Sequence, residues 1–313
     1  MNVKITVATP VYNREDCIGK CIKSVLDQSQ LPFEMLLVDD GSIDATKEVI
    51  KKYKVDNPII SLFEAPKNGG ENYARNRCVE NAKGDFILWL DSDDYLVPNA
   101  IESVLIGIYN DPDYLHYMFV PSDREAEFRA SHEFSQKKYV TTFEDWLGGK
   151  VSGDFVHVMH KSIFVGLPFF EEIIGFPRVN FLLIHKHTGR QLFINKVVTI
   201  RDRDRTDSLT YSYHLDDIKW INHSYTSSFL FFTYFSADLF RLSKNSFYKL
   251  FIKNFIMGIA LGKIEKNESF IDFLEEKPLA VKILMLFNKK VFSKLFLKLI
   301  IVNAKRKLRK SGK

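Results

Sequence analysis

Apolar residues in the first hundred positions fall into short runs, each followed by a polar cluster and then by a helical repeat. Residues 5–8, 33–38, 59–63 and 86–90 each have the length of one strand. The last run, Phe86-Ile87-Leu88-Trp89-Leu90, has no polar alternation, so it predicts a strand buried on both faces, as parallel strands are. Between the runs the spacing changes to that of a helix. Ile18, Cys21, Ile22 and Val25 predict a helix reaching about Asp27, with Asn13 as its N-cap and Glu15 and Asp16 in its first turn. Further helices are predicted over 45–53 and 71–82, the latter closed by Gly84. Such alternation predicts right-handed βαβ units and a mostly parallel sheet. The polar clusters Thr9-Pro10, Asp39-Asp40 and Asp91-Ser92-Asp93-Asp94 then share the edge formed by the strands' carboxyl ends, where ligands of open α/β sheets bind.

The pattern changes after residue 110. Residues 115–120 and 155–160 predict strands, 121–138 a charged surface loop, and 142–147 the start of a helix. His157 and His160 fall on opposite faces of their strand, so at most one points inward. From 229 onward aromatic helical stretches dominate, at 229–242 and 247–261. Residues 279–304 then predict one basic amphipathic helix. Lys290, Lys294 and Lys298 recur on one face, with Leu284, Phe287, Val291, Leu295 and Leu299 on another. This divides the chain into an α/β body over 1–215, itself changing character between 1–110 and 111–215, and a helical extension over 216–313.

Charge sharpens the picture of the tail. Net charge is +5, yet residues 282–313 hold eleven Lys/Arg and no acid, which leaves the body mildly acidic. A basic amphipathic end predicts an anionic membrane surface as partner. No nucleic-acid-binding motif accompanies the charge, so nucleic acid is not expected. Three cysteines without a C-x-x-C fit a reducing, cytoplasmic compartment. The first twenty residues lack the layout of a signal peptide, and no run of 18 uncharged apolar residues occurs. A peripheral position on the cytoplasmic face of the membrane is the expectation.

The candidate chemistry is concentrated in Asp91-Ser92-Asp93-Asp94. Three carboxylates this close repel one another unless a cation or strong donors neutralise them. Hard oxygen ligands favour Mg²⁺ or Mn²⁺, which is commonly shared with substrate phosphates. Neither G-x-G-x-x-G nor a P-loop occurs, which excludes the nicotinamide and P-loop nucleotide classes.

Four motifs now stand in order: A-T-P-V-Y-N-R (8–14), V-D-D-G-S-I-D-A-T (38–46), N-G-G-E-N-Y-A-R-N (68–76) and D-S-D-D (91–94). Together they resemble the motif set of the family 2 glycosyltransferases over roughly the first 110 residues. The resemblance implies a GT-A fold, a nucleotide-sugar donor (a UDP-sugar above all), Mn²⁺ or Mg²⁺ as cofactor, and inverting transfer. It puts Thr9 and Pro10 where the first strand meets the nucleotide and Asp40 on the uracil ring with Asp39 beside it. Arg75 falls near the nucleotide. Asp93 is implied as first metal ligand, with Asp91 and Asp94 next; Asp91 also lies beside the nucleotide.

The resemblance makes 1–215 a catalytic domain, with a nucleotide-binding half (1–110) and an acceptor half (111–215); the acceptor half departs from the family pattern. Inverting members carry a Glu-Asp pair whose second acid removes the acceptor's hydroxyl proton. Here the lead Phe170-Glu171-Glu172 is followed by Gly175-Phe176-Pro177-Arg178-Val179-Asn180, with no pair. Glu172 or Glu171 is the expected base, with His185 or His187 as alternative. Where members often have a His, three residues before the Ser of S-L-T, this chain has Arg205. Arg203 or Arg205 is expected to hold the leaving diphosphate. Family and basic tail together imply a lipid-linked or growing saccharide acceptor, in O-antigen or capsule assembly. A nucleotidyltransferase and a non-catalytic nucleotide-sugar-binding subunit are the alternatives.

Overall fold

The computed structural model describes residues 2–173, 178–201, 218–271, 274 and 279–310. The chain forms two compact units, Met1–Glu171 with Asn180–Arg205, and Glu172–Val179 with Thr206–Lys313. Up to residue 200 the elements are β1 (Ile5–Val11), α1 (Ile18–Leu26), β2 (Glu34–Asp39), α2 (Thr46–Asp56), β3 (Ile60–Glu64), α3 (Glu71–Asn81), β4 (Phe86–Trp89) and β5 (Tyr95–Leu96). There follow α4 (Ala100–Asn110), β6 (His116–Pro121), α5 (Glu125–Ala130), β7 (Lys138–Thr142), α6 (Phe143–Leu147), β8 (Val156–His160), α7 (Arg178–Thr188) and β9 (Arg190–Ile200).

One sheet carries the first unit, in the order β3-β2-β1-β4-β8-β6-β9-β5, with β7 on β9. β1 to β4 pair in parallel, as their unbroken apolar runs require. On one face Ile18, Ile22, Val25, Ile50, Ile101 and Val104 join the core; on the other, Ala74, Cys78, Trp89, Phe164 and Phe169. β8 then enters antiparallel between β4 and β6, with Leu88 opposite Val158 and Phe119 opposite Val156. β6 and β9 pair in parallel, Pro121 with Thr199. The residues just before β8 therefore lie beside those just after β4, β6 and β9.

Local departures from the sequence pattern have tertiary causes. α1 begins at Ile18, not after Asn13. Asn13 is left-handed (φ 50°); its Oδ1 accepts from Ile43 N (3.0 Å) and its N–H donates to Ser42 Oγ (2.9 Å). Its amide thus ties two strand-end loops together, leaving it unavailable as a cap. Gly84 is not the cap of α3, which ends in extended Ala82. A Cβ at Gly84 would lie 2.7 Å from the Thr6 backbone nitrogen, so close packing on β1 is what demands glycine. The segment after β6, expected as a loop, contains α5.

The second unit contains α8 (Ile218–Leu242), α9 (Lys244–Ala260), α10 (Ile264–Ile271), α11 (Leu279–Leu286) and α12 (Ser293–Lys310). Phe231, Phe232, Phe235, Phe247, Phe251 and Phe255 form its interior, which accounts for the aromatic bias. Asn267 locks α8, α9 and α10: Tyr225 Oη donates to its Oδ1 (3.2 Å) and its Nδ2 donates to Phe255 O (3.0 Å). The single helix expected over 279–304 is two. Asn288, between them, donates from Nδ2 to Ile264 O (3.3 Å) and accepts from Asn267 Nδ2 (3.0 Å), a tertiary tie that periodicity does not reveal. Among the described residues no helix is long and apolar enough to cross a membrane.

Candidate active site

The carboxyl ends of β1, β2 and β4 hold the expected polar clusters. Asp39 is fully buried; its Oδ2 accepts from Ser42 N (3.1 Å), while Oδ1 has no hydrogen-bond partner among the described residues. Asp40 accepts from Gly69 N (2.8 Å) and Gly70 N (2.7 Å). Burial pushes its carboxyl up, against the pull of those two N–H groups. The D-D-G-S and N-G-G motifs, thirty residues apart, are therefore one structure. Gly41 (φ 72°) completes it: a Cβ there would meet the backbone of Lys67 at 2.6 Å. Thr9 is fully buried, backbone included, so it lies beneath the edge and not on it; Pro10 is half-buried beside Val38.

The D-S-D-D loop is held from below by α1. Cys21 Sγ donates to Asp91 O (3.8 Å) and Cys17 Sγ to Ser92 O (3.7 Å). Ser24 Oγ accepts from Leu96 N (3.0 Å), and Gln28 Nε2 donates to Val97 O (2.9 Å). Burial, reinforced by Asp94, raises the Cys21 thiol, so it stays protonated and acts as a weak donor. The polar spacing of α1 thus serves the loop, a role the sequence does not signal.

Two arginines bracket this loop. Arg75 on α3 donates from Nε and Nη2 to Glu71 Oε1 (3.0 and 2.8 Å) and lies 3.7 Å from Asp91 Oδ1. Its guanidinium sits over the Trp89 ring, 5.1 Å from the centroid. Burial opposes its charge, but Glu71 and Asp91 outweigh burial and raise its pKa. Arg201, at the end of β9, lies 3.4 Å from Asp94 Oδ2, 3.9 Å from Asp123 and 2.7 Å from Asp154 Oδ2. Asp123 follows β6 and Asp154 precedes β8. Sequence reading missed these three residues, because only the antiparallel entry of β8 brings them to the edge. The one signal for them is that each is a charged residue next to a buried strand.

The candidate bases are spread out. Glu171 accepts from Asn76 Nδ2 (2.8 Å) and lies 3.9 Å from Arg77, so α3 holds it. Glu172 belongs to the second unit. Asn180, in the stretch where the Glu-Asp pair would fall, is buried and accepts from Phe170 N (3.1 Å). His185 is excluded as a base because it is core. It is buried, stacked on His116 (centroids 5.3 Å) and on Trp146 (4.2 Å), and burial and then His116 lower its pKa. His116 Nε2 and His157 Nδ1 are 2.9 Å apart. Here β6, β8 and α7 share a histidine trio, with His116 and His185 buried and His157 half-buried, so His157 is the inward residue of its pair. Arg203 and Arg205 lie outside the described residues.

The donor set suits a hard cation. Asp91 keeps 57% of its side chain exposed and Asp93 is half-buried, whereas Asp94 is turned to Arg201. Among the described residues no three His, Cys, Asp or Glu side chains converge to hold a metal. Asp91 and Asp93 are carboxylates of the kind and number that Mg²⁺ or Mn²⁺ takes when it is shared with substrate phosphates.

Comparison with known proteins agrees with this arrangement. Residues 6–164 match the family model "Glycosyl transferase family 2". A GalNAc(5)-diNAcBac-PP-undecaprenol beta-1,3-glucosyltransferase of Campylobacter jejuni is 32% identical over 212 residues, 66% of this chain and 67% of that protein. A poly(ribitol-phosphate) beta-glucosyltransferase of Bacillus spizizenii is 36% identical over 102 residues, but only 16% of its length is covered. The crystal structure of S. aureus TarS 1-349 in complex with UDP-GlcNAc superposes with a TM-score of 0.65 at 16% identity, covering 98% of this chain and 92% of that one. Its shared architecture establishes the GT-A fold. With the motif edge built as described and half of the chain matched, the protein is a glycosyltransferase and belongs to family 2.

Proposed function

We propose that this enzyme moves a sugar from a UDP-sugar, with inversion, to a lipid-linked or growing saccharide in bacterial surface-polysaccharide assembly, O-antigen or capsule. It would work at the cytoplasmic face of the membrane. The observation that carries the reading is the convergence of Asp39-Asp40, Arg75 and Asp91–Asp94 on one sheet edge. The relatives support the coarser part: one acts on an undecaprenol-linked glycan and one neighbour is complexed with UDP-GlcNAc.

In this reading Asp39 and Asp40 bind the uracil, and Asp93 with Asp91 holds Mn²⁺ or Mg²⁺. When bound, the cation supplies charge neutralisation for the departing diphosphate. Arg75 keeps Asp91 aimed from the donor side, and Arg201 holds Asp94 from the other. Arg203 and Arg205 neutralise the leaving diphosphate. A carboxylate must take the acceptor proton. Glu172 and Glu171 follow the family's lead, and Asp154 is favoured because it precedes β8 and shares Arg201 with Asp94.

The test is release of nucleoside diphosphate from a panel of UDP-, GDP- and dTDP-sugars with Mn²⁺ or Mg²⁺, with membrane extract as acceptor. Release from one donor, lost in Asp93→Ala, supports the reading. Release of pyrophosphate would favour a nucleotidyltransferase, and donor binding without turnover a non-catalytic subunit. Glu171→Gln, Glu172→Gln and Asp154→Asn then separate the bases; the true one loses transfer while keeping donor affinity.

A further inference from the structure

We propose that α12 has two working faces, and that its outer face lies in the headgroup region of an anionic phospholipid membrane. This deepens the membrane reading above and rests on it. Phe292, Phe296, Leu297 and Ile300 are half-buried on the inner face. Phe292 and Phe296 pack on Phe287 at 5.1 and 6.1 Å between ring centroids, and the helix lies along α9. These contacts already supply the apolar burial that fixes α12 to its unit.

A second apolar stripe is left over. Val291, Leu295 and Leu299 recur every four residues and are 77%, 54% and 56% exposed; Leu286, on α11, is 69% exposed. Solvent-facing helix positions normally carry polar residues, so an aligned stripe of this kind implies a partner. Beside it, Lys294 and Lys298 on α12, and Lys290 in the 3-10 turn that leads into it, are exposed, each one position earlier in the chain than a stripe residue. Lys289 and Lys282 add to them.

Charge selects the partner. The stretch from 282 to 313 has eleven Lys/Arg and no acid. A second copy of the chain, docked two-fold through this face, would set lysines against lysines, because such an interface is self-complementary. Nucleic acid would match the charge but leave the leucine stripe unused. An anionic bilayer satisfies both halves at once: leucine and valine enter the acyl boundary while lysine stems reach back to the phosphates. The sequence reading put Leu284 and Phe287 on the apolar contact face; both are half-buried, and Leu286 is the exposed residue instead.

The test is co-sedimentation of the full chain with vesicles of phosphatidylcholine alone or with 30% phosphatidylglycerol. Each lysine at such a surface is worth about a five-fold change in partitioning. The Lys290→Gln/Lys294→Gln/Lys298→Gln protein should therefore bind the anionic vesicles roughly 100-fold more weakly. Leu295→Glu/Leu299→Glu should also release it, and neither protein should change its melting temperature or its rate of UDP-sugar hydrolysis in detergent-free solution. Failure of wild type to sediment, or sedimentation unaffected by both variants, overturns the proposal. So does a dimer in light scattering that the leucine variant dissociates, or tighter binding to RNA than to the vesicles. Vesicle binding in a chain that hydrolyses no donor would sink the functional reading and leave the docking face standing.

Discussion

Replacing His116 by phenylalanine should flatten the response of the first unit to mild acid. His116 is fully buried between β-strands, 2.9 Å from His157 and stacked on His185. Burial pushes its pKa from the ordinary 6.5 down to about 3. In the unfolded chain the same ring is protonated at pH 5, while in the fold it stays neutral. The unfolded state then binds more protons, so stability is full above pH 6.5 and falls as pH drops toward 3. At about 1.36 kcal/mol per pH unit, His116 alone removes about 2 kcal/mol between pH 7 and pH 5. His157 and His185 are lowered in the same direction, by burial first and by the neighbouring rings next. The assay is urea unfolding at the two pH values, followed by tryptophan fluorescence in a Trp220→Phe background. Only Trp89 and Trp146 then report, and Trp146 stacks on His185 at 4.2 Å. Whatever His116→Phe does at pH 7, its loss on going to pH 5 should be smaller than that of the parent by about 2 kcal/mol. Equal losses in the two proteins would refute the argument, because they would mean that the trio is charged, or hydrated, in the fold.

Arg201→Ala should destabilise the first unit by about 3 kcal/mol, since it removes a buried guanidinium that meets the buried Asp94; adding Asp94→Asn should restore part of the loss in urea titrations. The same pair tests the site: Mn²⁺ binding followed by electron paramagnetic resonance should weaken in Arg201→Ala while UDP binding without metal holds. Gly41→Ala should cost at least about 2 kcal/mol, from the left-handed backbone and the contact with Lys67, and should weaken donor binding. Thr142→Ala removes the cap of α6, whose hydroxyl accepts from Asp145 N while Asp145 returns a bond, and should lower stability by about 1 kcal/mol.

The first hundred residues are readable because their information is local. Unbroken apolar runs mark strands, 3.6-residue spacing marks helices, and strand ends carry Asp39, Asp40 and Asp91–Asp94 to one edge by parallel pairing alone. Features that needed a non-local partner were misread. Asn13 looks like a cap until Ile43 and Ser42 are beside it, and Gly84 looks like a helix stop until Thr6 is. The part of the first unit after residue 110 shows the same limit on a larger scale. The direction of β8 is not written in Val156–His160, yet that direction decides whether Asp154 lies toward the D-S-D-D loop or toward the opposite end of the sheet.

Charge around the D-S-D-D loop also explains why three adjacent carboxylates can be kept in a folded protein. Asp94 is largely buried and would repel its neighbours, but Arg201 meets it; Asp91 is met by Arg75, whose own charge is sustained by Glu71. The two arginines come from different elements on opposite sides, α3 and β9, so neither half of the first unit completes the site without the other. Asp93, which the proposed mechanism sets on the cation together with Asp91, is half-buried and belongs to neither of these two ion pairs. Exchanging either arginine for lysine keeps the charge but loses the planar fork. Such an enzyme should fold nearly as well as the parent and need more Mn²⁺ for half-maximal turnover. If the lysine proteins matched the parent in metal requirement, the arginines would be counter-charges for folding and nothing more.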